Sequence, residues 1–228
     1  MPPLRRSDAT VSSALLRWFD KNKRNFPWRE TFEKPDPYVI LFTEIMLQRT
    51  RAAQVVPVYL EFVENYPTFE QLVKAPRQEV ELLFSRLGLK WRTKQVTKLI
   101  QCLKREHEGR IPDDPVKLRE LPGVGDYVSK AVECYAFGKR EGPVDTNVVR
   151  VITRLFGKTM NADIARRNKT IAGITRSLVP SGSDARRFNL ALLDLGAMIC
   201  RPVPRCPECP LASYCEYYRQ KNALSMKE

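Results

Sequence analysis

Apolar residues recur at helical spacing along nearly the whole chain, and no stretch sustains the two-residue alternation of a half-buried strand. The sequence therefore predicts an all-α protein. Asp36 before Pro37 predicts the start of a helix that continues to Leu47, and Thr68 three residues before Gln71 predicts another helix start. The remaining predicted helices span residues 12–20, 52–65, 77–87, 92–107, 115–120, 126–137, 146–156, 163–179 and 184–199.

The charge balance favours a polyanionic partner. The 39 Lys and Arg residues exceed the 26 Asp and Glu residues, which gives a formal net charge of +13, and the basic residues recur along the whole chain. No apolar run is long enough to cross a membrane, and residues 1–13 lack the apolar core of a signal peptide. We therefore expect a monomeric intracellular protein, in the cytoplasm or nucleoid, that binds nucleic acid.

Four cysteines near the C-terminus predict a metal site. Cys200, Cys206, Cys209 and Cys215 are separated by five, two and five residues. Disulfides are uncommon in a reducing compartment, so clustered thiols indicate metal ligation. Four-cysteine zinc sites usually contain two C-x-x-C pairs, and this loop has one, so the spacing favours an iron–sulfur cluster, with zinc as the alternative.

A glycine-containing turn separates two predicted helices at residues 121–125, Leu-Pro-Gly-Val-Gly. Its glycines allow backbone amides to approach a phosphate at the start of the second helix. Helix C-caps also use glycine, so the turn alone is weak evidence. Further along, Asp145 stands at the start of another predicted helix, where it could serve only as an N-cap.

These segments together resemble the endonuclease III and MutY glycosylases of the helix-hairpin-helix superfamily. The similarity covers about 190 residues in consistent order and includes residues 26–29, 36–40, 44–50, 121–125, 144–148 and 188–200. It implies two helical lobes flanking a DNA-binding cleft. We expect one domain at 30–137 with the helix-hairpin-helix, and another at 1–29 plus 138–228 with a [4Fe-4S] loop at 200–215. The first cysteine gap is one residue shorter than the family's usual six.

The resemblance also implies catalytic roles. Asp145 matches the family's essential aspartate, which stabilises positive charge on the sugar as the N-glycosidic bond breaks. Glu44 matches a glutamate that acts in acid–base chemistry in MutY-like enzymes, although a solvated surface glutamate is the alternative. Asn147 matches a polar residue near the reacting nucleotide, although Asn early in a helix often serves only in capping.

Residue 127 separates two reaction types. Bifunctional enzymes of the endonuclease III type carry lysine at the matching position as a Schiff-base nucleophile, whereas this chain has Tyr127, like the mismatch-specific thymine glycosylase branch. A phenol cannot form an imine, so the sequence predicts hydrolysis by water. The alternatives are a buried structural tyrosine, and Lys130 as a substitute nucleophile or phosphate contact.

The resemblance places two segments against DNA. Gln48, Arg49 and Thr50 match the segment that enters the duplex beside the extruded nucleotide, and Arg49 has the donors to read a guanine edge. The alternatives for Arg49 are a phosphate contact or a helix C-terminal cap. The hairpin residues expected to contact DNA are Leu121, Gly123, Val124 and Gly125.

The sequence therefore predicts a monofunctional DNA glycosylase that removes thymine or uracil opposite guanine from double-stranded DNA. MutY proteins add a further C-terminal domain after the cluster, whereas this chain ends at Glu228, which favours a pyrimidine substrate. One alternative is an adenine glycosylase acting on A:G or A:8-oxoguanine pairs, since few contacts set base choice. The other is a non-catalytic helix-hairpin-helix protein, which would not require Asp145 or Glu44.

Overall fold

The computed structural model describes residues 8–30, 35–158 and 169–225, and no strand occurs among them. The all-α prediction is confirmed. The described α-helices are α1 Asp8–Asn22, α2 Pro27–Glu30, α3 Pro37–Leu47, α4 Ala52–Asn65, α5 Phe69–Lys74, α6 Arg77–Ser85, α7 Lys90–Glu106, α8 Pro115–Glu120, α9 Asp126–Tyr135, α10 Thr146–Leu155, α11 Lys169–Leu178, α12 Asp184–Met198 and α13 Glu216–Ser225. Among these helices, none combines the length and apolar character that crossing a bilayer requires.

The chain divides into two compact units. Asn25–Phe137 forms one, which we call the hairpin unit, and Met1–Arg24 with Gly138–Glu228 forms the other, which we call the cysteine unit. The first boundary follows Arg24, five residues before the predicted boundary after residue 29, because the short helix α2 packs on α3 and α4 of the hairpin unit.

The hairpin unit is built around an aromatic cluster under α3. Asp36 accepts a hydrogen bond from the Tyr38 backbone amide at 2.8 Å and starts α3 as its N-cap. Nine consecutive residues of α3, from Tyr38 to Met46, are buried, so this helix is surrounded rather than amphipathic. The Tyr38 ring packs on Phe42, Phe62 and Phe69. Its hydroxyl donates to the Tyr66 carbonyl at 2.8 Å, and burial raises the pKa of this phenol.

The cysteine unit packs α10 against α12, with α1 and α11 alongside. The apolar positions of α10 recur at helical spacing and bury Val148, Ile152 and Leu155. Inside α12, the Asp194 carboxylate is fully buried, and it accepts from the Arg24 side chain at 2.6 Å and from the Arg24 amide at 3.0 Å. These bonds tie the end of the N-terminal segment to α12.

The predicted helices and the observed ones differ mainly at their ends. Helices 52–65 and 115–120 have the predicted bounds, and α5 follows the Thr68 cap, whose hydroxyl accepts from the Gln71 amide at 3.4 Å. The predicted helix 163–179 begins outside the described residues, and its described part is α11. Helices α2 and α13 were not predicted, because neither shows clear apolar periodicity. Helix α2 has only four residues, and α13 is a polar stretch with two tyrosines.

Candidate active site and cysteine loop

Asp145 lies at the N-terminus of α10, where both of its carboxylate oxygens accept hydrogen bonds. Oδ1 accepts from the Val148 backbone amide at 2.7 Å, so Asp145 does act as an N-cap. Oδ2 accepts from the Asn147 side-chain amide at 2.9 Å. The side chain is only half-buried, and an ionised carboxylate has about four acceptor positions, so it can still meet a further group. The capping and catalytic roles are therefore compatible.

Asn147 connects Asp145 to the cysteine loop. Its Oδ1 accepts from the Arg150 guanidinium at 2.7 Å, one helical turn further along α10. Arg150 also donates to the Gly196 carbonyl at 2.9 Å and to the Cys200 carbonyl at 2.7 Å. A continuous series of hydrogen bonds therefore runs from the candidate catalytic carboxylate to the first predicted metal ligand.

Gly196 allows α10 and α12 to approach at Asn147. A Cβ atom at residue 196 would lie 2.7 Å from the Asn147 Cβ and 3.4 Å from its Cα. Neither atom can move without the backbone of α10, because both are fixed to it. The position of the Asp145–Asn147 pair therefore depends on the absence of a side chain at Gly196.

We expect Gly196→Ala to lower both stability and base release. The added methyl overpacks the helix contact at a cost of about 1–3 kcal/mol and displaces Asn147, so we expect the single-turnover rate to fall by about tenfold. Gly173→Ala is the matched control, because a Cβ there meets nothing within 4 Å inside helix α11, and alanine should stabilise that helix by about 0.5–1 kcal/mol. Thermal unfolding and single-turnover kinetics measure both effects, and an unchanged Gly196→Ala protein would contradict this packing argument.

Glu44 lies on α3 of the hairpin unit and is 7% exposed. It is flanked on the helix by buried Thr43 and Ile45. A solvated surface glutamate is therefore not what the structure shows. A carboxylate in this largely desolvated setting has the environment that acid–base residues use.

Tyr127 lies in the first turn of α9, directly after the hairpin turn, and is partly exposed. The alternative that Tyr127 is a fully buried structural residue therefore does not agree with the structure. Lys130 on the same helix binds Asp126 with an N–O distance of 2.8 Å, and its side chain is 19% exposed. This ion pair occupies the only lysine of α9. Helix α9 packs against α3, the helix that carries Glu44.

The hairpin turn has two glycines in different conformations. Gly123 has φ +82°, in the left-handed region, and a Cβ there would lie 3.2 Å from the Gln95 Cβ. Gly125 is extended, with φ −94°, and a Cβ there would meet nothing within 4 Å. Gly123 is therefore required by the fold, whereas the space beside exposed Gly125 is open to a ligand such as a phosphate. Leu121 and Val124 are buried and hold the turn in place.

The two glycines should respond differently to alanine. We expect Gly123→Ala to lower the free energy of unfolding by about 2 kcal/mol, because the left-handed conformation is strained for alanine. Gly125→Ala should cost less than about 1 kcal/mol but weaken duplex DNA affinity by about fivefold or more, because its methyl occupies the open space at the helix start. Urea unfolding and fluorescence anisotropy measure the two effects. Equal DNA affinity for Gly125→Ala and wild type would contradict the proposal that a phosphate binds in the space beside Gly125.

The segment Gln48–Thr50 links α3 and α4 and contacts the hairpin. The Gln48 side-chain amide donates to the Gly123 carbonyl at 2.9 Å. Arg49 is exposed and has φ +54°, a left-handed conformation that is uncommon for a residue with a side chain. The predicted DNA-contacting segment and the hairpin turn are therefore joined in one unit.

All four cysteines of the predicted metal site line one cavity of about 290 Å³, part of which is open to solvent. In the described part of the chain, no three of these thiols lie within 4.8 Å of one another. A tetrahedral zinc ion with bonds of about 2.3 Å would hold its sulfurs about 3.8 Å apart. As the structure places them, the thiols are spread more widely than the ligands of a single zinc ion. Two short 3₁₀ turns, Cys206–Glu208 and Ala212–Tyr214, shape the loop.

Burial raises the pKa of the Cys209 thiol to about 12, and neighbouring thiols contribute. Burial also raises the pKa of Cys215. Ligation would therefore release protons from these groups, as is general for thiolate ligands. Arg154 supports the same loop, since its guanidinium donates to the Arg201 and Pro202 carbonyls and lies 3.5 Å from the Cys200 sulfur.

Two arginines of this region were not predicted from the sequence. Arg150 and Arg154 join α10 to residues 46 to 50 positions away, and sequence spacing alone does not show such contacts. The position of Arg150 three residues after Asn147 was the available signal, since such residues are neighbours on a helix.

Comparison with known proteins agrees with this arrangement. Residues 42–173, more than half of the chain, match the HhH-GPD superfamily of base excision DNA repair proteins. A thymine/uracil-DNA glycosylase of Methanothermobacter thermautotrophicus is 39% identical over 210 residues, which cover 91% of this chain and 93% of that protein. An adenine DNA glycosylase of Mycobacterium tuberculosis is 36% identical over 86% of this chain and 64% of its own length.

A solved thermostable thymine-DNA glycosylase superposes with a TM-score of 0.84 and 37% identity, covering 94% of this chain and 98% of that one. Endonuclease III in a non-covalent DNA complex shares the fold, with a TM-score of 0.72 and 22% identity, covering 94% of this chain and 96% of that one. The helix-hairpin-helix, the N-capping aspartate and these similarities lead to one conclusion: the chain belongs to the HhH-GPD superfamily of base excision DNA repair proteins.

Proposed function

We propose that the protein is a monofunctional DNA glycosylase that hydrolyses the N-glycosidic bond of thymine or uracil opposite guanine in double-stranded DNA. The observation that carries the proposal is the half-buried Asp145 carboxylate, fixed at the start of α10 by Val148 and Asn147. Its support is membership in a base-excision repair superfamily and the extent of similarity to thymine/uracil-DNA glycosylases.

Asp145 would act on the sugar. As the base leaves, positive charge develops on the deoxyribose, and a fixed carboxylate stabilises that charge without reorganisation. The bonds from Val148 and Asn147 hold both oxygens in place, so little conformational freedom remains to be lost in the transition state. Asn147 is therefore a positioning residue in this proposal.

Glu44 would handle the proton transfers that accompany hydrolysis. Its place on α3, 7% exposed, keeps most bulk water away from the carboxyl group, so the waters it meets would be those admitted with the DNA. A general base that activates water is consistent with the absence of an amine nucleophile at Tyr127. The product is then an intact strand with an abasic site, because the lyase step of bifunctional enzymes proceeds through an imine between an amine of the enzyme and the sugar.

DNA would be bound by the hairpin and by the segment Gln48–Thr50. The hairpin offers backbone amides beside the open space at Gly125, and the exposed Arg49 offers two donors to the orphaned guanine. The net charge of +13 supplies the sequence-independent part of the affinity. Such a monomeric enzyme would act where chromosomal DNA lies, in the cytoplasm or nucleoid.

The cysteine loop would hold a [4Fe-4S] cluster through Cys200, Cys206, Cys209 and Cys215, which share one cavity. When bound, such a cluster would cross-link four points of the loop through iron–thiolate bonds, and clusters of this type also exchange electrons. The chain's own contribution is to fix the loop on α10, through Arg150 and Arg154.

Duplexes that each carry one T:G, U:G, A:G or A:8-oxoguanine pair test the proposal. The pure protein is incubated in excess over each duplex, and strands are resolved with and without alkali. We expect cleavage of the T:G and U:G strands only after alkali treatment.

Other patterns would contradict particular parts of the proposal. Cleavage confined to the adenine strands would assign the chain to the adenine glycosylases. Incision before alkali would contradict the argument from Tyr127. Binding without cleavage of any strand would favour a non-catalytic helix-hairpin-helix protein.

A further inference from the structure

Arg92, near the start of α7, is a fully buried arginine, with 0% of its surface exposed. Its guanidinium donates to the Gln48 carbonyl, to the Thr50 hydroxyl at 2.7 Å and to the Leu87 carbonyl at 3.5 Å. Two of these acceptors belong to the segment Gln48–Thr50. Arg92 therefore forms hydrogen bonds with this segment on both sides of Arg49.

The partners of Arg92 do not neutralise its charge. Among the described residues no carboxylate pairs with it, its acceptors are neutral oxygens, and its Nε has no acceptor. Burying an unpaired cation is unfavourable, and an apolar side chain of similar size would be expected to pack at least as well. The stability of the core therefore does not explain an arginine at this position. Departures of this kind from optimal packing are common at functional sites.

The segment Gln48–Thr50 has a backbone conformation that contacts from elsewhere in the fold must stabilise. Arg49 has φ +54°, which costs a residue with a side chain about 1–2 kcal/mol. The carbonyl of Gln48 follows the last turn of α3, and Arg92 supplies its donor. The side chain of Gln48 also binds the hairpin at Gly123, so the two residues flanking Arg49 are fixed while Arg49 itself is exposed.

We infer that Arg92 is a positioning residue for opposite-base recognition: it holds Gln48 and Thr50 so that Arg49 is presented in one conformation to the base opposite the lesion. The inference rests on the proposed glycosylase function. A buried residue, which touches neither DNA nor the reacting atoms, thereby controls the selectivity for guanine as the partner base.

Selectivity is the first readout. Single-turnover rates are compared for uracil opposite guanine and for uracil in a single strand, which has no partner base to read. We expect Arg92→Met to lower the ratio of these rates by about tenfold or more, since charge-assisted hydrogen bonds hold the segment. Arg86→Met is the control, because Arg86 forms an exposed ion pair with Glu61 and both rates should stay within about twofold of wild type.

A double-mutant cycle tests whether Arg92 acts through Arg49. Arg49→Ala alone should lower the same ratio, and adding Arg92→Met to it should lower the ratio no further. Additive losses would mean that Arg92 does not act through Arg49 and would overturn the inference. If Arg92→Met is too unstable to purify, Thr50→Val removes one acceptor of Arg92 at a half-buried position and takes its place in the cycle.

Limited trypsin digestion tests whether Arg92 holds the segment Gln48–Thr50 in place. This test does not require the protein to release a base. The bonds after Arg49 and Arg51 should resist trypsin in the wild type and in Arg86→Met, and should become cleavage sites in Arg92→Met. General destabilisation would instead produce cuts at the many other basic residues. A segment that stays resistant in Arg92→Met overturns the inference. If the wild type releases no base, the proposed function fails, and the digestion pattern still decides whether Arg92 holds the segment.

Discussion

Asp145→Asn is expected to lower the single-turnover rate of base release by about a thousandfold. The substitution removes the negative charge that stabilises the sugar cation, and fixed charges and donors of this kind contribute factors of about a hundred to a thousand. Asparagine is as good an N-cap as aspartate, so the bond from the Val148 amide should persist and α10 should remain intact. DNA affinity should be unchanged or slightly higher, because a negative charge is lost near the phosphates.

The control for this variant is Asp36→Asn. Asp36 is also an N-cap aspartate, and it accepts from the Tyr38 amide at the start of α3. Its replacement should leave base release within about twofold of wild type, since capping is retained. Base release by Asp145→Asn at the wild-type rate would show that the carboxylate is only a cap.

Cys209→Ala is expected to remove the cluster and to lower the melting temperature by roughly 10 °C or more. Wild-type protein purified without oxygen should contain four iron atoms and four acid-labile sulfides per chain, and the variant should contain almost none. A loss of about 4 kcal/mol of stability corresponds to this shift for a chain of this size. Base release should also fall, because the loop supplies the Cys200 carbonyl that positions Arg150, and Arg150 in turn positions Asn147.

Cys102→Ser is the matched control for the cluster. Cys102 is partly exposed on α7 in the hairpin unit, and its replacement should change neither iron content nor melting temperature by more than about 2 °C. One zinc atom per wild-type chain, with no iron, would contradict the cluster.

The sequence predicted most helices of the molecule because their signals are local. Asp36 and Thr68 start helices by accepting bonds from backbone amides two and three residues away, and both starts are observed. The boundaries of α4 and α8 were also predicted correctly. Local sequence could not predict α2, whose four residues are set by the packing of Trp28 against Tyr59, 31 positions along the chain.

The candidate site was predictable only in part, for the same reason. Asp145, Glu44 and Tyr127 follow from resemblance to a known family, and their roles stay predictions until they are tested. The bonds from Arg92 to Gln48 and Thr50, and from Arg150 to Cys200, span 42 to 50 positions, so these contacts exist only in the folded chain. An arginine within a basic helix such as α7 gives no sign in the sequence that it is buried.

The most direct test of the central claim is to identify both products released from a T:G duplex. After a single turnover, mass spectrometry and chromatography are used to quantify the free base and the full-length strand. We expect one free thymine for each intact strand carrying an abasic site, formed by wild-type protein and absent with Asp145→Asn. Intact thymine in every strand, or strands cleaved by elimination at the abasic site, would contradict a monofunctional glycosylase.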